Sequence, residues 1–99
     1  MSGQGSPPVT LHCILDGTEI ADIGGAYSAL AAGLGFPAGF GGNLDALWDV
    51  LTVDLSGPVH VIWRHADRSR QRLGADFHKV REVLDAAAGA RDDFRVTYE

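Results

Sequence analysis

The stretch GGNLDALWDVLT, residues 41–52, carries the clearest structural signal in this sequence of 99 residues. Its paired glycines permit a tight turn, including left-handed backbone. Asn43 follows as a helix N-cap, because its side-chain oxygen can accept a hydrogen bond from an unpaired backbone N–H of the first turn. Good helix formers come next. The stretch therefore predicts a loop that opens directly into an amphipathic helix.

A rotation of about 100° per residue divides this predicted helix into two sides. Asp45 and Asp49 lie four residues apart, so their carboxylates project side by side from one edge, next to Trp48. The buried stripe is predicted to contain four side chains that fall within roughly 100° of arc, namely Leu44, Leu47, Trp48 and Leu51.

The two carboxylates have two interpretations. In the structural one, Asp45 stabilises the helix N-terminus through the helix dipole and Asp49 is a solvated surface residue. In the functional one, the pair forms an anionic patch spaced to engage arginines that normally hold phosphates. Periodicity by itself favours the structural interpretation.

Outside this helix, three segments alternate at the two-residue period of a β-strand: residues 9–15, 59–64 and 94–98. Their opposite faces are polar, with His12 and His60 as examples, which predicts a sheet covered mainly on one side. Cys13 and Trp63 are expected in the core, where the indole N–H of Trp63 would need a partner.

Helical patterns separate the strands, at about residues 24–33, 67–73 and 76–88, and Gly89 is expected as a C-cap. Strands joined through helices imply right-handed crossovers and parallel pairing. The predicted fold class is therefore α/β: a small three-stranded parallel sheet with helices packed mainly on one face.

Length and composition indicate one globular domain, since 45% of the residues are hydrophobic. We expect a flexible leader at residues 1–8, MSGQGSPP, and the domain at residues 9–99. The leader lacks the basic start and apolar core of a signal peptide, and no apolar run approaches the roughly 20 residues needed to cross a bilayer. We therefore expect a cytoplasmic protein that does not engage membranes.

Charge and motif content favour binding over catalysis. The formal net charge of −5 disfavours direct nucleic-acid binding and favours a basic partner. Cys13 is the sole cysteine, and the four histidines show no metal-ligand spacing. The glycines at residues 39–42 lack the Lys and Ser/Thr of a P-loop, and no nucleophile is paired with a base by motif. We expect no catalytic residue, no metal and no cofactor, with a small nucleotide-binding domain or enzyme as the alternative class.

The segment FPAGFGGNLDALWD, residues 36–49, resembles the signature of the barstar family, intracellular inhibitors of barnase-type, guanyl-specific ribonucleases. The resemblance extends over about residues 9–99, through LDG at 15–17 and VIWR at 61–64. It implies a barstar-like domain that blocks a basic microbial ribonuclease in a 1:1 complex, using an acidic helix and the preceding loop as phosphate mimics. An immunity protein against a different basic toxin, such as a DNase, is the alternative.

The resemblance also implies roles for individual residues. Asp49 would occupy the pocket of the scissile phosphate, and Asp45 would pair with a basic residue on the guanine side. The partner-binding set implied in this way is Phe40, Gly41, Asn43, Asp45, Ala46, Trp48, Asp49, Thr52, Val53 and Asp85.

Four positions depart from the family pattern. Gly39, Gly42 and Asp54 flank the helix and differ from the best-known member, which suggests a different partner surface. The late acidic contact of that member falls at Ala86, and the neighbouring Asp85 is expected to substitute for it.

Overall fold

Three parallel strands form the single sheet in the computed structural model, which describes residues 9–99. The expected leader, residues 1–8, lies outside the described residues. The strands are β1 (Leu11–Asp16), β2 (Val59–Arg64) and β3 (Phe94–Tyr98), in the spatial order β1-β2-β3. Both neighbouring pairs are parallel, which confirms the predicted sheet.

Helices make every connection between the strands. They are α1 (Ile23–Leu34), α2 (Leu44–Asp49), α3 (Ala66–Leu73) and α4 (Ala75–Ala90). The chain continues from α2 without a break into a π-helical turn, Val50–Asp54, which we call the π turn. No helix within residues 9–99 is both long and apolar enough to span a lipid bilayer.

The core lies between the helices and one face of the sheet. Cys13, Val61 and Trp63 are at most 1% exposed and pack with Leu30 of α1 and Leu84 of α4. Burial raises the pKa of the Cys13 thiol to about 11.

The other face of the sheet has no helix packed on it among the described residues. There, the rings of His12 and His60 are neighbours with centroids 5.7 Å apart, and Ile14 is 56% exposed. The predicted α/β class, with helices mainly on one face, is confirmed.

Trp63 anchors the core through a buried polar contact. Its indole N–H donates to the hydroxyl of Ser69 at 2.8 Å, and both residues are fully buried. This contact supplies the partner that the sequence required but did not identify. It also ties α3 to β2, so the short polar helix is fixed against the sheet.

Two predicted details are wrong. The first strand was predicted to begin at Val9, but β1 begins at Leu11 and Val9 is 92% exposed. The reason is that β2 begins opposite Leu11 and leaves Val9 without a strand neighbour. Gly89 does not cap α4. That helix runs through Ala90, and Arg91 ends it in an extended conformation that leads straight into the segment before β3, so no left-handed glycine is required.

Candidate protein-binding surface on α2 and α4

The loop before α2 is shaped by one glycine and anchored by one aromatic ring. Gly42 has a φ of 64°, in the left-handed region, and turns the chain into the helix. Asn43 accepts a hydrogen bond from the backbone N–H of Ala46 at 2.8 Å, so the predicted N-cap is confirmed. Phe40 is half-buried and packs edge-on against Tyr27 and Phe36. The loop is thus held in place while Gly41 and Gly42 remain exposed.

The burial of α2 differs from the prediction at Trp48. Leu47 and Leu51 are fully buried as expected, but Val50 is 5% exposed whereas Trp48 is 38% exposed. Val50 lies three residues beyond Leu47 and therefore on the same side of the helix, while Trp48 is rotated by about 100° from Leu47. The stripe is centred on the aliphatic side chains. The indole is left on the outer surface, next to both carboxylates.

The π turn lengthens this surface and is held at its far end. The backbone N–H of Leu55 bonds to the carbonyl of Val50 at 2.9 Å, the five-residue spacing of a π-helix. The Arg91 guanidinium donates to the carbonyls of Leu51 and Leu55 at 2.6 and 2.8 Å. Because Arg91 directly follows α4, these hydrogen bonds connect the end of the π turn to the segment between α4 and β3.

Two predicted partner contacts lie on the π turn. The Thr52 hydroxyl donates to the carbonyl of Trp48 at 2.7 Å and the residue is half-buried. Val53 is 78% exposed and lies one residue farther along. The structure therefore brings the predicted residues from Phe40 to Val53 onto one continuous loop and helix.

A groove separates α2 from α4 and contains the acidic edge. Its walls are formed by Leu44, Asp45, Trp48, Asp49, Glu82, Val83 and Ala86. Within residues 9–99, the carboxylates of Asp45, Asp49 and Glu82 form no ion pair and no side-chain hydrogen bond. Among the described residues, three carboxylates free of ion pairs and side-chain hydrogen bonds thus border the groove together with apolar side chains and the exposed indole of Trp48.

Asp85 lies away from this groove. Its carboxylate accepts a hydrogen bond from the Tyr98 hydroxyl at 2.8 Å and pairs with Arg81 at 3.4 Å. The pKa of Tyr98 is raised, first by burial and then by this hydrogen bond to Asp85. The structure therefore directs Asp85 toward β3 and does not bring it to the other predicted contacts.

Glu82 is the acidic residue of α4 that lines the groove, and sequence reasoning missed it. The signal was present: the resemblance implies that the late acidic contact of the best-known member falls at Ala86, Glu82 lies four residues before it, and residues four apart share a helix face. Asp85 is adjacent to Ala86 in sequence, but adjacent residues on a helix point about 100° apart.

Within the part of the chain that the structure describes, no group of three or more His, Cys, Asp and Glu side chains is arranged to hold a metal ion. The surface offers exposed carboxylates, an indole and loop backbone, which are groups capable of electrostatic and aromatic contacts.

Sheet, helices and exposed acidic edge together define the chain as a small α/β domain with a barstar-like fold. The family model described as Barstar (barnase inhibitor) matches residues 10–99, and the chain belongs to this family. A Bacillus subtilis (strain 168) protein named "Putative ribonuclease inhibitor YrdF" is 33% identical over 87 residues, which span 87% of this chain and 96% of that protein.

Proposed function

We propose that this protein is a cytoplasmic inhibitor of a barnase-type, guanyl-specific ribonuclease, with which it forms a 1:1 complex. One observation carries the proposal: within residues 9–99, the carboxylates of Asp45 and Asp49 form no ion pair and no side-chain hydrogen bond, and they lie beside the exposed Trp48. They do so on the helix of a chain that belongs to the family of barnase inhibitors. Inhibition of this kind gives the producing cell immunity to its own ribonuclease.

The mechanism is substrate mimicry and involves no covalent step. An enzyme that cleaves RNA holds phosphates with cationic side chains, and carboxylates at suitable spacing can take the place of the phosphate oxygens. The chain carries a net charge of −5, so long-range attraction accelerates its encounter with a basic enzyme. Once water is excluded, the charge-assisted hydrogen bonds slow dissociation.

The family resemblance supports a role for each residue of this surface. Asp49 occupies the scissile-phosphate site, and Asp45, one turn closer to the N-cap, pairs with a basic residue on the guanine side. Trp48 borders both contacts with its exposed ring. Phe40 and Gly41 face the enzyme from the loop side, while Thr52 and Val53 do so from the π turn. Asn43 and Ala46 contribute the capped first turn that holds this arrangement.

Titration against active ribonucleases tests the proposal. The chain is added to a panel of secreted guanyl-specific ribonucleases that includes barnase, and RNA cleavage is followed. We expect cleavage by at least one enzyme to fall linearly to zero at one equivalent of inhibitor. Full cleavage by every enzyme at stoichiometric excess would refute the proposal. Protection against a basic DNase in a parallel titration would identify the alternative, an immunity protein against another toxin.

A further inference from the structure

We infer that the sheet face on which no helix packs among the described residues binds a second copy of this chain, with the strands of the two copies antiparallel. We call this surface the open face. The inference is independent of the proposed function. Leu47 of α2 packs into the core on the other side of the sheet, so a dimer formed through the open face leaves α2 uncovered.

Strand register arranges the side chains of the open face in three rows that cross the strands. Buried residues alternate with exposed or half-buried ones along β1 and β2, and the latter project from this face. Glu99, which directly follows β3, continues the last row and pairs with Arg64 at 3.6 Å. The first row is His12, His60 and Arg95, the middle row is Ile14, Ile62 and Thr97, and the last row is Asp16, Arg64 and Glu99.

These rows are complementary to their own copy. A two-fold axis along the middle row reverses the strand direction and places the first row of one copy on the last row of the other. His12 then faces Asp16 of the second copy, and Arg95 faces Glu99. The axis repeats both contacts, so the dimer contains four of them. The middle row meets itself, which covers Ile14, a side chain that is 56% exposed in the single copy.

The remaining pair of positions brings His60 against Arg64 of the second copy. Burial, then Arg95 and His12, lowers the pKa of His60, so its ring is neutral at pH 7 and does not repel a guanidinium group. The ring is held within the face, since its Nε2 atom lies 2.8 Å from the hydroxyl of Thr97. This position therefore adds no like-charge contact to the dimer.

The distribution of charge favours a second copy over a partner of one charge sign. An acidic partner that matched the first row would meet the carboxylates of Asp16 and Glu99 in the last row. A basic partner that matched those carboxylates would meet Arg95. Because like charges in an interface are unfavourable, only an occupant with both signs at this spacing satisfies the outer rows together. The chain itself carries that pattern.

The size of the open face sets the expected affinity. Three strands about 4.8 Å apart, with six residues in β1 that rise about 3.3 Å each, give a footprint of roughly 300 Å². A stable interface buries about 800 Å² on each partner. Each copy also carries a net charge of −5, and salt screens the resulting repulsion. We therefore expect a weak dimer, with a dissociation constant on the order of 100 µM in about 0.15 M salt.

Exchange of charge between the outer rows tests the inference. Arg95→Glu and Glu99→Arg each place like charges together at two symmetry-related contacts, whereas the combined variant restores opposite charges and the net charge of the parent. Sedimentation equilibrium up to about 1 mM protein measures dimerisation. We expect each single variant to dimerise at least about tenfold more weakly than the parent, and the combined variant to recover the parent's dissociation constant within about threefold. Arg68→Glu, on α3 and outside the rows, is the charge control for Arg95→Glu and should change dimerisation less than about twofold.

Cross-linking at a single position tests the orientation. The antiparallel arrangement brings the two copies of residue 14 together, whereas an axis parallel to the strands would place residue 14 against Thr97. Ile14→Cys with a short bismaleimide should therefore give covalent dimers, and Ser28→Cys on α1 should not. The native Cys13 is buried and does not compete for the reagent.

Four results would overturn the inference: a parent chain that is monomeric at about 1 mM, single variants that dimerise as well as the parent, a combined variant that is folded but monomeric, or no cross-link at residue 14. Each of them is distinguishable from failure of the proposed function, because none of these measurements involves a ribonuclease.

Discussion

Replacing Arg91 by alanine is expected to loosen the π turn that follows α2. The guanidinium donates to the carbonyls of Leu51 and Leu55, where the π turn ends, and also forms a two-pronged ion pair with Asp93 at 2.9 and 3.0 Å. The arginine side chain is only 14% exposed. Its removal leaves two carbonyls of the π turn without their donor, in a half-buried position.

The size of the effect follows from these contacts. A hydrogen bond that involves a charged group contributes about 1.5–3 kcal/mol, and Arg91 makes two of them to carbonyls. The ion pair adds little, because the Asp93 side chain is 46% exposed and screened by solvent. Water can reach Leu55 and replace part of the loss. We expect Arg91→Ala to lower the free energy of unfolding by about 2–4 kcal/mol, and the Tm by about 8–32 °C.

Urea denaturation followed by tryptophan fluorescence measures this change, and Arg91→Lys is the matched control. Lysine keeps the charge but carries a single ammonium group that cannot serve two carbonyls and a carboxylate with fork geometry. We therefore expect it to recover less than half of the loss. A loss below about 0.5 kcal/mol for Arg91→Ala is the size expected of an ordinary surface ion pair. That result would refute the proposal that Arg91 stabilises the π turn.

Two further predictions concern the cap and the open face of the sheet. Asn43→Ala removes the acceptor for the Ala46 N–H and should lower the free energy of unfolding by about 1 kcal/mol, or the Tm by roughly 4–8 °C. Asn43→Asp retains the cap and should change stability little. Equal melting temperatures of the parent and the alanine variant would contradict the capping role. The pKa of His60 is lowered by burial, then by Arg95 and His12, so the folded state holds that proton less tightly than the unfolded state. The free energy of unfolding should therefore have its full value above the unfolded-state pKa of His60, about 6.5, and decrease as the pH drops below it. His60→Gln should flatten this fall between pH 7.5 and 5, and an unchanged profile would exclude His60 as its source.

Local patterns in the sequence predicted most of the fold because several independent signals agreed. The alternation of residues 59–64 and 94–98 matches β2 and β3 residue for residue. The cap at Asn43 needs only neighbouring atoms and was equally readable. Burial of Cys13 and Trp63 followed from their places on strand faces.

Features that depend on tertiary packing could not be read in this way. The exposure of Trp48 depends on where α4 lies relative to α2. A helical wheel shows only the residues of one helix and therefore cannot predict how a neighbouring helix covers them. Arg91 contacts Leu51 and Leu55, which precede it by 40 and 36 positions in the sequence. The contrast between Asp85 and Glu82 likewise depends on which side of α4 meets β3. The family resemblance pointed to α2 as the proposed binding helix, whereas tertiary packing decides which side chains of other elements lie beside it.

The central claim is that Asp49 acts as a phosphate mimic, and its replacement by alanine tests that claim most directly. Asp49 is exposed, and within the described residues 9–99 its carboxylate forms no ion pair and no side-chain hydrogen bond. Inhibition constants are compared for the parent, Asp49→Ala and the charge control Asp92→Ala, with thermal melting of all three. We predict a loss of roughly 30-fold or more for Asp49→Ala alone, with an unchanged Tm. An Asp49→Ala variant that inhibits as well as the parent would contradict the account.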